Sequence, residues 1–127
     1  MKQLRYFSDY AYAALRFMSG WMFAFHGAQK VFGVLGAQRA APVSQMWVGG
    51  VIELVCGLMI AFGIKTRAAA FLASGTMAVA YIQFHWKLQF NSNFFPAINQ
   101  GELAVVYCFL FLFIACQGGG RFCLGRD

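Results

Sequence analysis

A small set of ionisable and hydrogen-bonding side chains interrupts an otherwise apolar sequence, and Glu53 is the most telling of them. It sits midway along an apolar run, between Gly50 and Gly57, with no basic residue one turn further on. A charge held at the centre of a hydrocarbon layer costs about 2.5–3.5 kcal/mol on insertion scales, so a residue retained there is read first as functional. A carboxylate accepts a proton or pairs with a cation. A histidine moves a proton in either direction near neutral pH, and tyrosine and lysine donate hydrogen bonds. His26, Lys30, Glu53, Tyr81, His85 and Glu102 therefore form the candidate polar pocket. Arg16 and Arg67 form a second set, read as charges or an ion pair at the opposite end, with Asp9 or lipid phosphates as partners for Arg16. Plainer roles exist for several of these residues. Lys30 can snorkel to headgroups, His85 beside Trp86 fits a membrane–water interface, and Glu102 suits a helix N-terminus. His26, Glu53, His85 and Glu102 show no H-x-x-x-H or E-x-x-H spacing, so no metal site is expected.

Helical spacing decides which of these groups can meet. Arg16, Gly20, Phe23, Gly27 and Lys30 follow one face of the first apolar stretch, with His26 one turn before Lys30. Gly50, Glu53 and Gly57 share a face of the second, and Ser74, Met77, Tyr81 and His85 a face of the third. Small residues around Glu53 let a neighbouring backbone approach, which turns the carboxylate toward other helices and away from lipid. At a rise of about 1.5 Å per residue, Glu53 lies about 10–12 Å and His26 about 9 Å below the outer helix ends. The candidate pocket thus belongs to the outer half of the molecule, and Arg16 and Arg67 to the inner half.

Four apolar stretches must carry these residues: 10–32, 46–64, 68–86 and 101–117. Of the 127 residues, 61% are hydrophobic and 11% charged. Soluble domains carry about 25% charged residues, and a bilayer-crossing helix needs about 20 mostly apolar residues. The expected fold is an all-α membrane protein, an antiparallel four-helix transmembrane bundle forming a single domain over 1–127. Ser8 or Asp9 is predicted to cap the first helix and Thr66 the third. The turn from Gly63 to Arg67 is short enough to force antiparallel neighbours. Segment 88–100 is predicted to lie at the outer surface, with Phe90, Phe94 and Phe95 dipping into the interface and Pro96 breaking any helix there.

The net charge is +6, but the basic residues are spread between the stretches, which excludes a nucleic-acid patch and leaves the lipid bilayer as the expected partner. Lys2, Arg5, Lys65, Arg67, Arg121 and Arg126 fall on one side, and Lys30, Arg39 and Lys87 on the other. That bias predicts a multi-pass inner-membrane protein with both termini cytoplasmic. Cys56, Cys108, Cys116 and Cys123 form no C-x-x-C pair, so neither a disulfide framework nor a zinc site is expected.

The polar residues assemble into a pattern that resembles the DoxX family. Arg16 followed by His26-Gly27-Ala28-Gln29-Lys30 is similar to its first-helix signature, and Gly49-Gly50-Val51-Ile52-Glu53-Leu54 with Gly57-Leu58 and Gly63 to its second. Thr66-Arg67-Ala68-Ala69-Ala70 resembles the turn into its third helix. Phe95-Pro96 with Asn99-Gln100-Gly101-Glu102-Leu103-Ala104 resembles the lead-in to the fourth, and Gly118-Gly119-Gly120-Arg121-Phe122 the glycine-rich exit. The resemblance implies a four-helix integral membrane protein. Some relatives are the small membrane subunit of a thiosulfate:quinone oxidoreductase, and others belong to membrane complexes that handle thiol or oxidative stress.

Two readings of function stand side by side. In the first, the chain is an accessory membrane subunit of a redox complex, quinone-linked, with His26, Glu53 and Tyr81 supplying the polar parts of a quinone slot and Lys30 or Arg16 the counter-charge. No flavin, haem or iron–sulfur motif is encoded, so quinone is the one cofactor candidate and other subunits of a membrane complex would carry the electrons. In the second, the chain is a structural or assembly subunit without catalytic activity of its own. Glu53 then forms an internal ion pair with Lys30 or Arg16.

Overall fold

A computed structural model describes residues 2–125, with side chains from Leu4 onward. Arg126 and Asp127, the first of them counted in the basic tail, lie outside the described residues. Every regular element among the described residues is helical. A short α1 (Lys2–Tyr6) leads into α2 (Ser8–Phe32), followed by α3 (Gln45–Phe62) and α4 (Thr66–Ala80). The last continues without a break into a π-helical turn, Tyr81–Trp86. A 3-10 turn, Ser92–Phe94, and a single-turn α5 (Pro96–Asn99) precede α6 (Glu102–Gln117).

By length and composition α3 is the one helix among the described residues long and apolar enough to cross a membrane. α6 is apolar but shorter, at 16 residues. α2 has 25 residues, but Asp9, Arg16, His26 and Lys30 dilute its apolar character.

The helices pack as two close antiparallel pairs. α2 meets α3 along glycines: a Cβ on Gly27 would lie 2.3 Å from the Leu54 nitrogen, and one on Gly57 2.5 Å from the Ala24 nitrogen. α4 meets α6 through Ala69, Ala70, Ala73 and Met77 against Ala104, Tyr107, Phe111 and Ile114, all buried. Ser74 Oγ adds a hydrogen bond to the Cys108 carbonyl (2.8 Å). Phe23 joins the pairs, its ring centroid 4.7 Å from Phe111 and 5.5 Å from Tyr107.

The turns show why the chain reverses where it does. Gly33 and Gly63 end α2 and α3 in the left-handed region (φ 68° and 71°), where glycine carries no steric penalty. Ser44 caps α3, its hydroxyl accepting from the Trp47 N–H (3.2 Å).

Three local expectations are corrected. Neither Ser8 nor Asp9 caps α2: Phe7 holds that position without a side-chain cap, because α1 feeds straight into the helix. Thr66 does not cap α4, since Lys65 takes the left-handed turn (φ 43°) and Thr66 is already helical, its buried hydroxyl unpartnered among the described residues. Pro96 starts a helical turn rather than breaking one, as its fixed φ and missing N–H suit the first helical position.

Candidate functional site

α3 and α4 are close at their three-residue connection, but between their further ends lies a cavity of about 680 Å³. That is within the range of about 300–1,000 Å³ typical of small-molecule sites. Its apolar walls include Ile52 on α3, Leu72 and Val79 on α4, and Leu103 and Tyr107 on α6. Its polar residues gather where α2 and the π-helical turn end and α3 and α6 begin: Lys30, Gln45, His85 and Gln100, with His26 and Glu53 deeper. Gly49 and Gly75 line it too, and a Cβ on either would meet nothing within 4 Å.

The glycines of the α2–α3 seam bring Glu53 to its partner. A Cβ on Gly50 would sit 2.7 Å from Lys30 Cβ, so the two backbones lie close enough for Lys30 Nζ to reach Glu53 Oε1 at 2.6 Å. The Glu53 side chain is 3% exposed and that of Lys30 33%. Glu53 Oε2 is buried and has no hydrogen-bond partner among the described residues. An unsatisfied buried polar atom costs about 1–3 kcal/mol, and more when charged. The pair is therefore half-satisfied: one carboxylate oxygen is neutralised and the other lacks a donor.

The other candidate residues divide. His26 lines the same cavity, and no hydrogen bond joins it to the pair among the described residues. His85 lines it as well, with Nδ1 3.2 Å from the Asn99 carbonyl. Tyr81 is not a lining residue. Its hydroxyl donates to the Phe94 carbonyl (3.0 Å) and accepts from Asn99 Nδ2 (3.2 Å), so it pins the 88–100 segment to the helix end. Tyr81 stays on the face of Ser74 and Met77, packed against the α4–α6 core beside Gly101, and the π-helical winding changes the register only of the residues that follow it. Glu102 stands exposed in the first turn of α6, where a carboxylate meets the positive end of the helix dipole.

Arg16 and Arg67 work on helix ends. Arg16 is 3% exposed and donates through Nη1 to the carbonyls of Ile60 (2.6 Å) and Ala61 (2.9 Å), and through Nη2 to that of Phe122. Asp9 lies instead near Arg121, at 3.8 Å on the surface. Arg67 donates to the Ala115 (3.2 Å), Cys116 (2.6 Å) and Gln117 (3.4 Å) carbonyls at the end of α6. The last carbonyls of a helix lack intrahelical partners and carry partial negative charge, which a guanidinium satisfies. Sequence spacing cannot show which distant helix end an arginine reaches.

Gln45, Gln100, Gly49, Gly75 and Tyr107 are lining residues that sequence reasoning missed. Gly49 and Gly75 carried the only available signal, as glycines inside helices. Among the described residues no group of three or more His, Cys, Asp or Glu side chains is placed to hold a metal ion.

The sequence profile of the DoxX family matches residues 11–86. The chain belongs to the DoxX family. An uncharacterized protein of Haemophilus influenzae is 37% identical over 124 residues, which cover 94% of this chain and 92% of that relative. No solved structure matches the chain. The DoxX match runs from α2 through the π-helical turn, and so takes in His26, Lys30, Glu53 and His85 but stops short of α6.

Proposed function

We propose that this DoxX chain is an integral inner-membrane protein whose four long helices cross the bilayer with both termini cytoplasmic. Its role in this reading is that of an accessory subunit in a membrane redox complex, holding a quinone-type molecule in the cavity between α3 and α4. The buried Lys30–Glu53 pair beside an otherwise apolar cavity carries the reading. A half-satisfied buried charge marks a site that has a use for it, and a site for a molecule with an apolar tail and a polar ring needs both kinds of wall.

The outer surface supports membrane insertion. Phe71, Phe109 and Phe113 are 69%, 66% and 53% exposed, and Leu72, Val106 and Leu112 are exposed beside them on α4 and α6. Contiguous apolar surface of this kind marks contact with lipid or another protein. Leu72 and Leu103 are exposed and also line the cavity, so a ligand can enter sideways from the acyl chains.

The residues fit a quinone in three respects. The volume suits a ring and the start of its tail, the walls of α4 and α6 are apolar, and Lys30 and His26 offer hydrogen-bonding groups at the polar end. A bound quinone would supply carriage of electrons and protons between partner proteins. Lys30 and Glu53 orient the ring, His26 and His85 stand where a proton could pass, and the aliphatic walls exclude water.

Purification in mild detergent, with analysis of the bound lipids and proteins, tests the reading. The expected result is isoprenoid quinone enriched well above its share of bulk membrane lipid, together with a redox partner. A lipid extract that mirrors the membrane, with unchanged turnover of the assembled complex in Glu53→Gln, would overturn it.

The Lys30–Glu53 contact also favours a second reading, a purely structural subunit whose ion pair locks α2 to α3. In that case the exchange Lys30→Glu with Glu53→Lys restores assembly and no ligand copurifies.

A further inference from the structure

We infer that the polar end of the cavity selects a head group that donates a hydrogen bond, and so holds the reduced, hydroxylated form of a ring-and-tail molecule in preference to its oxidised form. This deepens the quinone reading and rests on it.

Three observations carry the inference. Glu53 lines the cavity and is 2% exposed, and Lys30 occupies only one of its oxygens. The second, Oε2, lacks a donor among the described residues. The side chains that could have served it are engaged elsewhere or make no contact with it: Gln45 donates to Gln83, His85 faces the Asn99 carbonyl, and no hydrogen bond reaches Glu53 from His26. An ionised carboxylate only accepts.

A quinone ring presents carbonyl oxygens, which also only accept, so it can approach Lys30 but sets acceptor against acceptor at Glu53. A hydroquinone presents O–H groups. Oε2 is closed off as the side chain stands, so a small rotation of Glu53 would let one hydroxyl donate to it while the hydroxyl oxygen accepts from Lys30, which is a third exposed and has N–H groups beyond the one in the pair. Sites with a buried polar group discriminate strongly against ligands that leave it unpaired. The preference concerns binding alone, and no electron or bond moves in it. If the reduced form binds about tenfold more tightly, the midpoint potential of the bound two-electron couple rises by about 30 mV.

The experiment compares three probes on the wild-type protein in lipid nanodiscs under argon: a short-chain alkyl benzoquinone, the corresponding hydroquinone, and the dimethyl ether of that hydroquinone. The ether keeps the aromatic ring and both oxygens but replaces each O–H by O–CH₃, and the quinone, which adds no bulk, controls for the extra methyls. The hydroquinone is expected to bind at least about tenfold more tightly than both others. In Glu53→Gln the amide oxygen keeps Lys30 and the amide N–H₂ stands where Oε2 was, so the order should turn toward the quinone. Equal binding of all three probes would sink the donor preference and leave the quinone site standing, as would a Glu53→Gln protein with the wild-type order. Binding of none of them would remove the quinone site and the preference together. The wild-type comparison decides between these outcomes even if the variant does not fold.

Discussion

The two faces of α3 are built on the same residue type and do opposite things with it. Toward α2, Gly50 and Gly57 meet Gly27, Gly20 and Ala24 so closely that an added Cβ would strike backbone atoms at 2.5–2.7 Å from Gly57 and Lys30 Cβ at 2.7 Å from Gly50. Toward α4, Gly49 faces open space, and Gly75 on α4 does the same. Glycine in the seam lets two backbones touch. Glycine in the cleft keeps a cavity open at a cost in helix propensity, since glycine is about 0.5–1 kcal/mol worse than alanine inside a helix. A residue that is unfavourable for its own helix and packs against nothing points to a space kept for something else.

The largest effect should come from filling the seam. Gly27→Leu drives a side chain into the backbone at Leu54, which flexible neighbours cannot absorb. Overpacking of this kind costs about 3 kcal/mol or more where backbone must move. The variant should lose its cooperative thermal transition in detergent, and Gly27→Ala should show a marked fall in midpoint. A Gly27→Leu protein that melts like the wild type would mean the two helices are not held at backbone contact.

Next in size is the ion pair that the seam positions. Lys30→Met leaves the Glu53 carboxylate buried without its cation. Such truncations cost about 3–5 kcal/mol in fully buried pairs, and the partial exposure of Lys30 brings the expectation to about 2–3 kcal/mol. Adding Glu53→Leu to Lys30→Met should recover most of that loss, because a well-packed apolar pair often replaces a buried ion pair at little cost. Thermal melts of the two single variants and the double variant close the cycle. Recovery of stability without recovery of quinone binding would separate folding from ligand contact.

The seam was legible in the sequence and the cleft mostly was not. The spacing of Gly20 with Gly27 and of Gly50 with Gly57 follows the helical repeat, so an inward-facing Glu53 followed from residue order alone. The cleft depends on what irregular backbone does. Tyr81 keeps the register of α4 and bonds the Phe94 carbonyl, while the π-helical winding after it sets His85 at the cavity, a register that regular winding could not show. Arg16 and Arg67 were legible as a set of charges apart from Glu53, but their carbonyl partners lie 44 to 106 residues away along the chain. The same holds for the tail, where the Leu124 and Gly125 N–H groups bond to the Phe62 and Gly63 carbonyls across the end of α3. The apolar stretches 10–32, 46–64, 68–86 and 101–117 overlap the helical segments Ser8–Phe32, Gln45–Phe62, 66–86 and Glu102–Gln117. The differences sit at caps, where one or two residues decide between turn and helix.

The smallest effect on stability, and the sharpest test of the comparison, lies at Gly75. An alanine there meets no atom within 4 Å, so it adds helix propensity without strain and should raise stability by about 0.5–1 kcal/mol. The same substitution at Gly27 has the opposite sign, and that reversal depends only on what faces each glycine. Larger side chains extend the test from folding to binding. Gly49→Leu combined with Gly75→Leu should fold and melt at or slightly above the wild-type midpoint, while the added side chains narrow the space that a ring would occupy. Quinone affinity, measured in nanodiscs, should then fall by about tenfold or more, in line with about 1.4 kcal/mol of lost contact. If the double variant is stable and binds as the wild type does, the open glycines do not border the binding space. If it is strongly destabilised, the cleft is already filled in the folded protein and α3 meets α4 as closely as it meets α2.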